Sequence, residues 1–142
     1  MAIRYFAIAY GIVFLLVGIA GFIPGLVTQP AEVADPAVGG HGHLLGLFPV
    51  NPLHNLVHLA FGIWGVVAYR SLSASRLYAQ AVAVIYAILA VMGFIPALNT
   101  MFGLVPLYGH DIWLHAVLAA VAAYFGWGVR AETPAYSQRT AP

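Results

Sequence analysis

Four side chains able to ligate a metal ion stand in two pairs of equal spacing, His54 with His58 and Asp111 with His115. Residues four apart share one face of a helix, so each pair projects from a single side. Each pair opens a long apolar run, in Asn51-Pro52-Leu53-His54-Asn55-Leu56-Val57-His58 and in Gly109-His110-Asp111-Ile112-Trp113-Leu114-His115. Neutral imidazole suits zinc, copper and iron, and two histidines are a common way to hold haem iron. Two binding chemistries follow. His54, His58, Asp111 and His115 could hold a transition metal. Alternatively, His58 and His115 could clamp a tetrapyrrole (haem or chlorin) axially above a trough of Gly62, Gly65, Ala119 and Ala122.

A structural reading accounts for the same residues. Small side chains let membrane helices pack closely, interfacial histidines bond to a facing helix or to water, and Asp111 complements a helix N-terminus. His41 and His43, in His41-Gly42-His43, could fold over the cluster and add ligands, as could His110. Other chemistries drop out. The His54/His58 spacing is that of a zinc-protease helix, but the Glu that acts as base is missing. A di-iron carboxylate bundle needs several Glu ligands. The sequence has no cysteine, which removes thiolate sites and disulfides. It also has no phosphate loop and no nucleophile elbow.

The elements that carry these residues must lie in lipid. The chain has 142 residues, of which 63% are hydrophobic and 6% charged, with a mean hydropathy of +0.93. A soluble domain carries roughly 25% charged residues, so this is a membrane protein whose first partner is the bilayer. A net charge of +1 leaves no footprint for nucleic acid. Four helices are predicted, over 3–23, 52–69, 77–95 and 110–129. The first is too long for a signal-peptide core and is expected to be retained. Asn51 is the expected N-cap of the second, with Pro52 at its first position. A Gly/Pro-rich connection covers 25–51, a short polar turn 70–76, and an interfacial loop 97–108. The tryptophans and most tyrosines fall near helix ends, as aromatic belts do.

The sequence repeats itself. Gly21-Phe22-Ile23-Pro24 returns as Gly93-Phe94-Ile95-Pro96, and Gly46-Leu47-Phe48-Pro49 as Gly103-Leu104-Val105-Pro106. The first register pairs Arg4 with Arg76 and Ala7 with Ala79; the second pairs His54 with Asp111 and His58 with His115. The expected fold is therefore a single all-α domain over 1–142, a four-helix transmembrane bundle of two tandem two-helix repeats. Repeat one spans about 3–70, repeat two about 75–130, and a polar tail 131–142. The two copies should be related by a pseudo-two-fold axis along the membrane normal. Arg4, Arg70, Arg76, Arg130 and Arg139 fall on one side of this alternation, and Glu32, Asp35 and the loop histidines on the other. The positive-inside tendency makes both termini cytoplasmic and the histidine cluster extracytoplasmic.

The motifs His54-Asn55-Leu56-Val57-His58-Leu59 and Gly109-His110-Asp111-Ile112-Trp113-Leu114-His115, in a duplicated four-helix frame, resemble those of a family of small bacterial integral membrane proteins. That family is catalogued as a domain of unknown function. The resemblance implies a four-span bundle in the bacterial cytoplasmic membrane and transfers no activity. The reading is a non-enzymatic membrane protein whose histidine cluster binds a metal or a tetrapyrrole. The alternative is a structural accessory subunit of a larger membrane complex, docking through the small-residue stripes Ala7/Gly11/Gly18 and Ala79/Ala83/Ala87/Ala90.

Overall fold

Asn51 begins the second helix as its sequence requires. Its side-chain oxygen accepts from the His54 backbone N–H at 2.8 Å, and Pro52 takes the first helical position, where no N–H is needed. The computed structural model describes residues 1–28 and 42–129. It contains four helices, α1 (Ala2–Ala20), α2 (Pro52–Ala68), α3 (Leu72–Phe94) and α4 (His110–Ala123), the last prolonged by a π-helical turn over Tyr124–Gly128. Three are long and apolar enough to cross a membrane, namely α1, α3 and the 19 residues from His110 to Gly128. At 17 residues, α2 sits at the short end of the spanning range, about 17–25 residues.

The third helix starts earlier than its sequence suggests. Ser71 caps it by accepting from Ala74 N at 3.1 Å. Ser75, in the second turn, donates its hydroxyl to Ala68 O and Ser71 O, each at 2.9 Å. The serines that read as a polar turn are therefore a cap and a clasp between α2 and α3.

The fold is not wholly helical. Three short strands, β1 (Val27–Thr28), β2 (Gly42–Leu44) and β3 (Phe48–Val50), form an antiparallel sheet in the order β1-β2-β3. Gly42 pairs with Val50 and Leu44 with Phe48, while Thr28 pairs with His43. Strands of two or three residues are too short to show an alternating pattern, so an all-α expectation needs this correction. Leu45 and Gly46, at φ 54° and 71°, make the left-handed turn between β2 and β3.

Helix α1 lies chiefly on α2, and α3 on α4. The close approach needs bare backbone. A Cβ on Gly11 would stand 2.7 Å from Val66 N, and one on Gly65 would stand 2.8 Å from Ala7 O. Most of the small-residue stripes are consumed here. Ala7, Gly11, Gly18, Ala79, Ala83 and Ala90 are buried inside the bundle, and only Ala87 is exposed. They are not the docking surface expected from sequence. Between the hairpins runs a core rich in aromatic rings, where Phe6 stacks on Phe125 with centroids 4.7 Å apart and Phe14 on Tyr86 at 5.3 Å.

Candidate metal centre

Both ligand pairs sit in the first turns of helices that begin at the same end of the bundle. His54 is placed by the Asn51 cap, and Asn51 also donates its amide to Leu104 O at 2.8 Å, which ties the start of α2 to the loop before α4. That loop ends at Gly109, whose φ of +67° turns the chain into α4. Asp111 and His115 then face inward one turn apart.

The two pairs meet. One ligand atom each from His54, Asp111 and His115 lies within 4.8 Å of the other two. The His54 and His115 rings are 6.2 Å apart, centroid to centroid. His58 joins through His54, their rings stacked at 4.8 Å and their Nε2 atoms 3.0 Å apart. At that distance one nitrogen donates and the other accepts, or both share an ion. Donor atoms on a tetrahedral ion with ~2.0–2.1 Å bonds stand about 3.3 Å from one another. His115 Nδ1 lies 3.4 Å from Asp111 Oδ2, without the alignment of a hydrogen bond.

This group is closed off. His54 is 3% exposed, His58 5%, Asp111 2% and His115 1%. Phe14 stands at 5.5 Å from His58, and Tyr86 presents its ring to His115 at 5.0 Å. Among the described residues, His58 Nδ1, His115 Nδ1 and Asp111 Oδ2 find no hydrogen-bond partner, while His54 also has the Pro49 backbone beside it. A single buried polar atom without a partner costs about 1–3 kcal/mol, and an uncompensated carboxylate costs more. A divalent cation held by His54, Asp111 and His115 would offset the penalty on those three residues, because a carboxylate oxygen and an unprotonated imidazole nitrogen both donate lone pairs to metal.

Three of these residues, His54, Asp111 and His115, could hold an ion. The expected trough beneath the histidines is filled by other parts of the chain. A Cβ on Gly62 would meet Leu15 Cγ at 2.6 Å, and one on Gly65 the Tyr78 hydroxyl at 2.8 Å. The cavity that reaches the cluster measures about 210 Å³, below the ~300 Å³ at which pockets for drug-sized ligands begin.

The other candidate histidines do not join. His43 is half-buried on β2, away from the converging group, and His110 is exposed at the first position of α4. His41 lies outside the described residues. Three residues around the site were not singled out from sequence. Phe14 and Tyr86 wall the imidazoles, and they stand 72 residues apart, the same offset as the two Gly-Phe-Ile-Pro segments, which is the signal that would have found them. Asn55 follows His54 directly; it is 2% exposed, presses on Gly21, and its Oδ1 has no hydrogen-bond partner among the described residues.

Comparison with known families gives one result. The family described as "Domain of unknown function (DUF4383)" matches residues 4–128. No curated protein and no solved structure matches the chain.

Proposed function

We propose that this chain, which belongs to the DUF4383 family, is a small non-enzymatic membrane protein that holds a transition-metal ion among His54, Asp111 and His115. His58 completes the set, either as a further ligand or by orienting His54 through the Nε2 contact. The observation that carries the reading is the convergence of three buried ligand atoms from two helices within 4.8 Å. Two or three imidazoles with one carboxylate suit zinc or ferrous iron.

The fold reading extends to a tandem repeat. In support, the inward positions Phe6, Ala7, Phe14 and Gly18 of α1 answer to Tyr78, Ala79, Tyr86 and Ala90 of α3, all buried. Leu45 and Gly46, in left-handed backbone, answer to Phe102 and Gly103, at φ 59° and 85°. Gly21 presses on Asn55 as Gly93 presses on Ile112, at matching places in each hairpin. On this reading the centre lies across the pseudo-two-fold axis, one ligand pair from each copy.

The proposed orientation follows the arginines. Arg4 Nε donates to Tyr69 O at 2.7 Å, and Arg76 donates to Gly126 O at 3.2 Å and Val129 O at 2.8 Å, so these cations gather at the end opposite the centre. By the positive-inside rule that end is cytoplasmic in a bacterial inner membrane, and the centre is extracytoplasmic.

Cobalt(II) tests the site, because its visible bands report ligand number and type. The purified protein in mild detergent should take up cobalt with bands that zinc displaces, and His115→Ala and Asp111→Asn should weaken uptake by about 10–100-fold or more. Cobalt binding that both variants leave unchanged would refute the assignment.

A further inference from the structure

The loop that joins α3 to α4, over 95–109, does not project from the end of the bundle. Asn51 holds it by donating to Leu104 O at 2.8 Å. Met101, Leu104, Val105 and Leu107 line the cavity beside the centre together with Val57 and Leu89. Val57 and Leu89 each stand five residues inside their helices, roughly 7 Å from the helix ends at ~1.5 Å per residue. The loop therefore folds back along the flank of the bundle. Leu53 and Ile85 line the same cavity and are exposed on α2 and α3, so the outer surface of the loop continues the apolar surface of two helices. On that surface Phe102 is 80% exposed and Leu104 55%.

The chemistry of this surface selects lipid as its cover. The loop residues 21–28, 42–50 and 95–109 include no Asp, Glu, Lys or Arg, whereas a docking face for a soluble partner carries a polar rim. Much of the loop backbone is satisfied from within. Asn99 N donates to Ile95 O at 2.9 Å, Val105 N to Thr100 O at 3.1 Å and Leu107 N to Asn99 O at 2.8 Å, while Gly103 N donates to the Thr100 hydroxyl at 3.2 Å. Lipid demands such internal partners and water does not. Leu45, Met101 and Phe102 stand at φ 54°, 48° and 59°, left-handed backbone that disfavours bulky side chains and suits Gly or Asn. A hydrocarbon surrounding rewards Leu and Phe there; water does not.

The same surface occurs twice. In the repeat register Leu45 answers to Phe102 and Leu47 to Leu104, and Leu45 is 64% exposed and Leu47 50%. One such surface on each copy suits a medium that surrounds the bundle, where a single docked subunit would meet only one of them.

We infer that the tips of both loops, Leu45 with Leu47 and Phe102 with Leu104, are lipid anchors. They sit in the leaflet on the side of the histidine cluster, about 5–10 Å into the boundary of headgroups and acyl chains. The inference goes beyond the proposed function and stands whether or not the centre holds an ion.

Because the chain has no cysteine, single nitroxide labels test this without other changes. Phe102→Cys and Leu47→Cys, each labelled in proteoliposomes, report collisions with oxygen, which dissolves in lipid, and with a water-soluble nickel chelate. Ile63→Cys, at an exposed position in the middle of α2, is the lipid reference, and Ser73→Cys, exposed at the other end of the bundle, is the water reference. The oxygen-to-nickel collision ratio at both loop positions should stand severalfold above that of Ser73→Cys and approach that of Ile63→Cys, with or without added zinc. Leu104→Cys replaces Phe102→Cys if the latter does not fold. A ratio equal to that of Ser73→Cys would place the loops in water and overturn the inference. Low collision with both reagents would overturn it too, and spin–spin broadening would then identify a second copy of the chain as the cover.

Discussion

Asn51 holds the site together from one position, and replacing it tests how the centre is built. Its side chain caps α2 through the His54 N–H at 2.8 Å and reaches Leu104 O at 2.8 Å. Asn51→Ala removes both. Loss of an N-cap costs about 1 kcal/mol, and loss of a partly buried hydrogen bond about 1 kcal/mol more. The two together come to about 2 kcal/mol. Asn51→Ser keeps a capping oxygen and loses the amide donor, so it should recover about half. Reversible unfolding in mixed SDS and mild-detergent micelles reads the stability, and cobalt titration reads the site. Because His54 is the residue whose N–H the cap holds, fraying of this first turn displaces a ligand. Metal affinity should therefore fall in the same order, wild type above Asn51→Ser above Asn51→Ala. If Asn51→Ala changes neither quantity, or if Asn51→Ser loses as much as Asn51→Ala, the cap does not position the ligand and the reasoning fails.

Three further outcomes follow from the packing and the ion. Gly65→Ala puts a methyl group 2.8 Å from Ala7 O and the Gly11 Cα, backbone atoms that cannot step aside, and should cost about 1–3 kcal/mol in the same unfolding assay; Gly25→Ala, with nothing within 4 Å, should be close to neutral. Arg76→Met removes the hydrogen bonds to Gly126 O and Val129 O and should raise amide exchange in the π-helical turn while leaving α2 unaffected. Removing the ion with a chelator should lower the unfolding midpoint, by about 2.7 kcal/mol of stability when free metal stood at a hundred times Kd, and added zinc should restore it.

The elements that place the histidine cluster were legible because their chemistry is local. Asn51-Pro52 announces a helix start, and the four-residue spacings put His54 with His58 and Asp111 with His115 on common faces. Apolar length alone gave the membrane helices. What sequence reading missed depends on contacts between distant segments. The serines at 71 and 75 look like loop formers until Ala68 O is there to receive the Ser75 hydroxyl. Strands as short as Val27–Thr28 are held by their partners and carry no pattern of their own. Gly62 and Gly65 were read as the walls of a trough, since small residues admit either a ligand or a neighbouring helix. Leu15 and Tyr78 occupy that space, so the small residues serve helix packing.

The central claim is that His54, Asp111 and His115 share an ion. Elemental analysis of protein purified from cells grown without added chelator measures this most directly. Wild type should carry about one zinc or iron per chain, and Asp111→Asn and His115→Ala should each carry far less while keeping the helical content of the parent. Wild-type protein that is folded and metal-free, even after incubation with zinc and ferrous iron, would contradict the account.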